Sequence, residues 1–208
     1  MKIKTTRTTT ESEMTVILDF SPVKPDYRKR IQTTLPFLNH MIEHIAWRGG
    51  FNVETQVKLD EFLLTHVIAE DLGIALGKAL AEYVARSREQ GVTGFGDGTG
   101  IIDEAQAKTC ISFENRAYFA IDYHGLALTE KVEGMDTQDL ETFLLGICQG
   151  ACCTLQIDVV KGENGHHIWE AVFRSLGTCL KNALYLDPAR KGMTSGVAGA
   201  IDWKIEVE

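Results

Sequence analysis

His66 and Glu70 stand four residues apart, and the same pair recurs one hundred residues on as His166 and Glu170. The surrounding residues agree: from Glu70 the chain reads EDLGIALGKAL, and from Glu170 it reads EAVFRSLGTCL. The glutamate, the Leu-Gly pair and the closing leucine coincide. A period this regular restricts the chain to an internal duplication, each copy a set of strands plus two helices. The expected halves are 1–92 and 93–187, followed by a tail over 188–208.

The rest of the sequence is consistent with an α+β fold of this kind. The run RTTTESEMTVILDFS reads as a first strand, and DYRKRIQTTLP as a second that Pro36 closes. FLNHMIEHIAWRGG carries apolar residues at 37, 38, 41, 42, 45 and 46, a helical period ended by Gly49 and Gly50. FNVETQVKL alternates as a strand does. A long helix is predicted from Leu63 to Ala85, where Ile68, Leu72, Leu76 and Leu80 share one face. GVTGFGDGTGIIDEA lacks the spacing of a dinucleotide or P-loop fingerprint and reads as a connector. Strands in AKTCISFE and RAYFAIDY follow, then a helix over Thr137–Cys153, the strand TLQIDVV, and a helix over His166–Leu184. The tail reads as loop with a short apolar end.

With 208 residues the chain can bury a full core. A formal charge of −8 argues against a nucleic-acid partner, although an acidic protein can still hold a local basic pocket for a phosphate. No apolar run is long enough to span a membrane, and the N-terminus lacks the apolar segment of a secretory signal. The five cysteines form no CxxC pair and read as small core residues. A reducing, cytoplasmic location is the expectation.

Of the six histidines, His166 and His167 are adjacent. Adjacent helical residues diverge by roughly 100°, whereas residues four apart share a face. His166 and Glu170 can therefore reach one ion together while His167 points toward a second. His66 and Glu70 offer the same imidazole and carboxylate in the first copy. Such nitrogen and oxygen donors suit a divalent ion such as manganese, zinc or iron.

These motifs resemble the imidazoleglycerol-phosphate dehydratase family over nearly the full length of the chain. The family's DHHTVEDVGI, NxHHxxEAxFKA, FLDHM, MDEA, SGRPY and TKET segments correspond to LTHVIAEDLGI, NGHHIWEAVFRS, FLNHM, IDEA, ENRAY and TTES here. The resemblance implies a duplicated β-sheet plus two-helix unit, ribosomal protein S5 domain 2-like, in trimers that assemble into 24-subunit shells. It also implies active sites between subunits, each with two manganese ions. The first ion would be held by His40, His166 and Glu170, with Val67 at the position of a fourth, histidine ligand. The second would be held by His66, Glu70 and His167, with Thr142 in place of another histidine. Three protein ligands completed by water can still hold a catalytic metal.

For the substrate, the resemblance places Arg116 and Arg174 at basic positions around the phosphate, Ser195 at a serine of the C-terminal motif, and His44 where the family has a substrate-contacting glutamine. Gly94 and Val197 replace a basic residue each. Each lost charged hydrogen bond removes about 1.5–3 kcal/mol. The implied reaction is dehydration of imidazole glycerol phosphate in histidine biosynthesis, with the imidazole ring as electron sink and no redox cofactor. Glu11 would transfer a proton or orient substrate, and Glu170 would combine ligation with catalysis. Two other readings stay open: a dehydratase for a different phosphorylated imidazole, and a paralogue that keeps fold, oligomer and partial metal binding without the reaction.

Overall fold

The computed structural model describes residues 1–201 and 204–206. Strands β1 (Lys2–Thr8) and β2 (Ser12–Asp19) form an antiparallel hairpin, and β3 (Asn52–Leu59) adds to the far edge of β2. Helix α1 (Pro36–Gly49) precedes β3, and α2 (Thr65–Ser87) follows it. A second sheet has the order β4 (Phe95–Ile102), β5 (Ala105–Ser112), β9 (Thr154–Lys161), β6 (Tyr118–Asp122), with β6 parallel to β9 and the other pairs antiparallel. A short hairpin of β7 (Lys131–Val132) and β8 (Met135–Asp136) leads into α3 (Thr137–Ala151), and α4 (Gly165–Ala183) follows β9. The fold is α+β.

The helices lie between the two sheets. α2 packs on β1 and β2 and meets α3 on its other side, while α4 packs on β4 and β5 and meets α1. The helical periods read from the sequence explain which faces do this. All six apolar positions of α1 are buried, and Gly50 ends the helix in the left-handed region at φ 74°. Ile68, Leu72, Leu76 and Leu80 of α2 are buried as well. The α2–α3 crossing is unusually close because glycines meet backbone there. A Cβ on Gly77 would lie 2.2 Å from the Ile147 carbonyl oxygen, and one on Gly150 would lie 2.1 Å from that of Ile74.

Three sequence expectations change. The glycine-rich stretch is a strand, β4, rather than a connector. Gly96, Gly98 and Gly100 alternate along its inner face, where added Cβ atoms would lie 2.7, 2.4 and 2.1 Å from backbone atoms of Ala183, Cys179 and Ala171. The glycines thus carry the period-2 pattern that apolar residues usually carry, which conceals the strand from hydrophobicity. The segment RTTTESEMTVILDFS is two strands, turned where Thr9 Oγ1 accepts from the Glu11 and Ser12 amides at 3.1 Å each. DYRKRIQTTLP forms no strand. Tyr27–Arg30 is a 3-10 turn, and the following amides bond to side chains, Gln32 to Thr55 Oγ1 at 2.7 Å and Thr33 to Asn39 Oδ1 at 2.8 Å.

Cys148, Cys153 and Cys179 are buried as small core residues, whereas Cys110 is exposed and Cys152 half-buried; all five are free thiols. Among the described residues no helix is long and apolar enough to cross a membrane. The tail holds a 3-10 turn at Pro188–Arg190. Its expected apolar end includes residues 202, 203, 207 and 208, which lie outside the described residues.

Candidate metal centre

The start of α4 is fixed by its cap. The Asn164 side chain accepts from the amides of His166 at 2.8 Å and His167 at 3.4 Å, satisfying two of the donors that a helix N-terminus leaves free. The Asn164 amide itself donates to Glu104 Oε1 at 2.9 Å. From this start, His166 and Glu170 fall on one face, with His166 Nε2 3.3 Å from Glu170 Oε2. α1 brings a second pair with the same spacing. His40 Nε2 lies 3.4 Å from Glu170 Oε2, His44 Nε2 lies 3.3 Å from Glu170 Oε1, and the two Nε2 atoms are 3.4 Å apart. His40, His44 and Glu170 each offer a ligand atom within 4.8 Å of the others.

Glu170 is the centre of this group and is only 4% exposed. Burial works to raise its carboxyl, but the imidazoles and the Arg174 guanidinium outweigh burial and hold it below the ordinary carboxylate range. Arg174, one turn further along α4, pairs with Glu170 Oε1 and donates to the Ile101 carbonyl at 2.8 Å. Burial pushes the His44 imidazole down to about 4, against the opposing pull of Glu170. Its ring is then neutral near pH 7, the form in which imidazole binds metals. Around the rim, His40 Nδ1 lies 3.4 Å from Glu43 Oε2 and His166 Nδ1 lies 3.1 Å from Glu133 Oε1.

His167 points away, as the helical angle requires. Its Nδ1 is 2.8 Å from Glu104 Oε2 and its Nε2 is 3.9 Å from Asp103 Oδ2. The hydrogen bond to Glu104 raises the imidazole, while the Asn164 amide and then His167 lower the Glu104 carboxyl to about 2. Asp103, Glu104 and His167 form a second group with ligand atoms within 4.8 Å of one another.

His66 and Glu70 sit elsewhere in the chain, on the first turns of α2. His66 is exposed, its Nδ1 3.4 Å from Asp139 Oδ1 on α3. Among the described residues, the groups whose ligand atoms lie within 4.8 Å of one another do not include His66, Glu70 and His167 together. Val67 and Thr142 stand on α2 and α3 and offer no imidazole.

Glu11 lies exposed at the β1–β2 turn. Arg116 and Ser195 line a separate pocket of about 200 Å³ with Arg88, Glu114 and Thr194. The residue at 94 shapes that pocket, because a Cβ on Gly94 would lie 1.9 Å from Ser195 Oγ. None of His40, His44, His166 or Glu170 lines it.

The sequence does not single out Glu133 or Asp139, and it offers Asp103 and Glu104 only within the IDEA motif, with no role attached. They reach the histidines from loops or from another helix, and no local spacing announces them. His44 was legible as a substrate contact only, yet its spacing from His40 is the same four residues that flagged His166 and Glu170.

The chain is similar to known proteins over most of its length. The family model described as Imidazoleglycerol-phosphate dehydratase matches residues 33–180. The chain is 34% identical over 189 residues to the imidazoleglycerol-phosphate dehydratase of Geobacillus sp. (strain WCH70), covering 91% of this chain and 93% of that one. It is 30% identical over 196 residues to that of Cupriavidus metallidurans, covering 94% and 97%. Among solved structures, the imidazoleglycerol-phosphate dehydratase of Staphylococcus aureus aligns with a TM-score of 0.73 at 27% identity, over 90% of this chain and all of that one. IGPD from Pyrococcus furiosus aligns at 0.76 and 28%, over 94% and 99%.

Proposed function

The chain belongs to the imidazoleglycerol-phosphate dehydratase family, and from that premise we propose that it is a hydro-lyase of histidine biosynthesis, acting on imidazole glycerol phosphate with a divalent metal, Mn²⁺. The observation that carries this reading is the convergence of His40, His166 and Glu170, which approach one another through Glu170 Oε2 at 3.3–3.4 Å. The donor set fits such an ion: imidazoles and a buried carboxylate are nitrogen and oxygen ligands that suit a divalent cation. When bound, the metal supplies Lewis-acid stabilisation of the substrate imidazole as negative charge develops on it.

The chain's own residues do the rest. His40, His166 and Glu170 hold the first ion; His66, Glu70 and His167 hold the second. Because His66, Glu70 and His167 form no common ligand group among the described residues of one chain, the second set requires a neighbouring copy, which supports a homo-oligomer, the trimer or 24-mer. Arg116 and Ser195 bind the phosphate, and Arg174 orients both Glu170 and the substrate. Glu11, at a turn free to face a neighbour, moves or steers the proton lost from carbon. The halves 1–92 and 93–187 are the two copies of an ancestral unit and 188–208 is their tail, whose residues Met193 to Gly196 help line the phosphate pocket. A metal-dependent biosynthetic enzyme with five free thiols fits the cytoplasm.

One observation favours a second reading, a paralogue that keeps fold and metal but not this reaction. Glu114 places a carboxylate beside Arg116 in the pocket meant for an anion, and Gly94 leaves no basic side chain there. Assay of purified protein on imidazole glycerol phosphate with added Mn²⁺, together with rescue of a strain lacking the dehydratase, decides between them. Turnover and rescue support the enzyme; neither at saturating substrate leaves the paralogue.

A further inference from the structure

The contacts around His44 differ in kind from ordinary hydrogen bonds. Its Nε2 is 3.4 Å from His40 Nε2 and 3.3 Å from Glu170 Oε1, and the remaining approaches to Glu170, from His40 and His166, are also 3.4 and 3.3 Å. Direct charge-assisted bonds between nitrogen and carboxylate oxygen are shorter, about 2.7–2.9 Å. A tetrahedron built on metal–ligand bonds of about 2.0–2.1 Å has edges of about 3.3–3.4 Å. His40, His44 and Glu170 stand near the separations that a shared cation imposes, each with a ligand atom within 4.8 Å of the others, and His166 approaches the same carboxylate at Oε2.

All four come from one chain, as two pairs four residues apart on facing helices. What brings the helices close enough is Gly177 of α4, where a Cβ would lie 2.7 Å from Arg48 Cβ and 2.8 Å from the His44 carbonyl oxygen. The His44 side chain is 13% exposed, so little else competes for its Nε2. Arg174 pairs with Glu170 Oε1, the oxygen that His44 approaches, while Oε2 faces His40 and His166, so both carboxylate oxygens border the site.

We propose that His44 is a metal ligand, and that His40, His44, His166 and Glu170 of a single chain form a complete three-imidazole, one-carboxylate cation site that needs no residue from a neighbour. His44 then takes the coordination position for which Val67 has no lone pair. This deepens the proposed metal-dependent function and rests on it for the role of the ion, but not for its binding.

Full-length protein is stripped with a chelator and titrated with Co²⁺, following the visible absorption of the bound ion, with far-UV circular dichroism as the check on folding. His44→Gln is expected to weaken the tightest site at least about tenfold, as His40→Gln does. X-ray absorption of wild-type protein carrying one Zn²⁺ per chain gives a readout without mutation, three imidazoles being expected. Refolding His44→Gln chains together with His166→Gln chains should restore no tight site.

Unchanged Co²⁺ affinity in His44→Gln, two imidazoles at Zn²⁺, or recovery of the site in the mixture would overturn the proposal. If His40→Gln and His166→Gln still abolish binding, the metal-dependent function survives that result. If wild-type protein binds none of Co²⁺, Zn²⁺ and Mn²⁺, both fall together.

Discussion

Ser12 Oγ donates to Asp71 Oδ2 at 2.5 Å, tying the β1–β2 turn to α2. The link joins neighbours of three candidate site residues: Glu11 precedes Ser12, and Asp71 follows Glu70 on the helix that carries His66. Arg7 Nη1 approaches the other oxygen of Asp71 at 3.0 Å, and the carboxylate is 5% exposed. Asp71→Ala leaves the part-exposed Arg7 without its counter-ion and should cost about 2–3 kcal/mol in urea denaturation. Ser12→Ala should cost about 1–2 kcal/mol, less than Asp71→Ala because Arg7 still pairs the carboxylate, and should lower kcat about tenfold if the turn positions Glu11 as proposed.

The α2–α3 crossing makes a packing prediction. Gly77→Ala drives a methyl group into the Ile147 carbonyl, and backbone cannot yield as a flexible side chain can. A loss of about 3 kcal/mol or more is expected, against the small gain that alanine normally brings to a helix. Thermal denaturation measures it.

Acid stability should depend on Asp19. The Lys24 ammonium, 2.6 Å away, and then the Ser21 amide hold its carboxyl well below the ordinary value of 3.8. A depressed folded-state value contributes stability above the unfolded value, and that contribution is lost as pH falls through the folded one. Lys24→Met should therefore cost up to about 1 kcal/mol at pH 7, the ammonium being one-third exposed. The difference from wild type should shrink steadily below about pH 4.

Removing bound metal should be visible in stability. Metal at a hundred times its dissociation constant contributes about 2.7 kcal/mol. For a chain of this size that amounts to a fall of about 5–10 °C in Tm on chelation. His166→Gln should reduce the effect of the chelator, the part that remains coming from the second ligand set.

Glu114 is the residue to change in the Arg116 pocket. Glu114→Gln removes an anion beside the proposed phosphate position while keeping the side chain's size. It should strengthen binding of a phosphate-bearing ligand by between about threefold and tenfold, measured by titration at low ionic strength.

Periodicity located all four helices to within a few residues, because each buries a stripe wide enough to read. The α4 helix begins at Gly165 where His166 was expected, since Asn164 is its cap. β4 escaped notice for the opposite reason: its inward positions carry no side chain, so hydrophobicity has nothing to alternate. The stretch 26–36 contains β-branched residues, but its amides bond to Thr55 and Asn39 side chains rather than to a strand. At the site, the pairs within helices were legible from spacing. The partnership of His167 with Glu104, or of His66 with Asp139, spans 63 and 73 positions and depends on how helices and loops dock.

Gly177 lies two helical turns beyond Glu170 and offers no donor atom itself, yet it governs how near the α1 backbone can come. The separation between the two imidazole-bearing helices is thus set by a hydrogen atom where other residues carry carbon. A single methyl there would act as a spacer, stretching the grip on an ion while every donor kept its identity. Affinity in this protein can be tuned from a position that an inspection of donors alone would pass over.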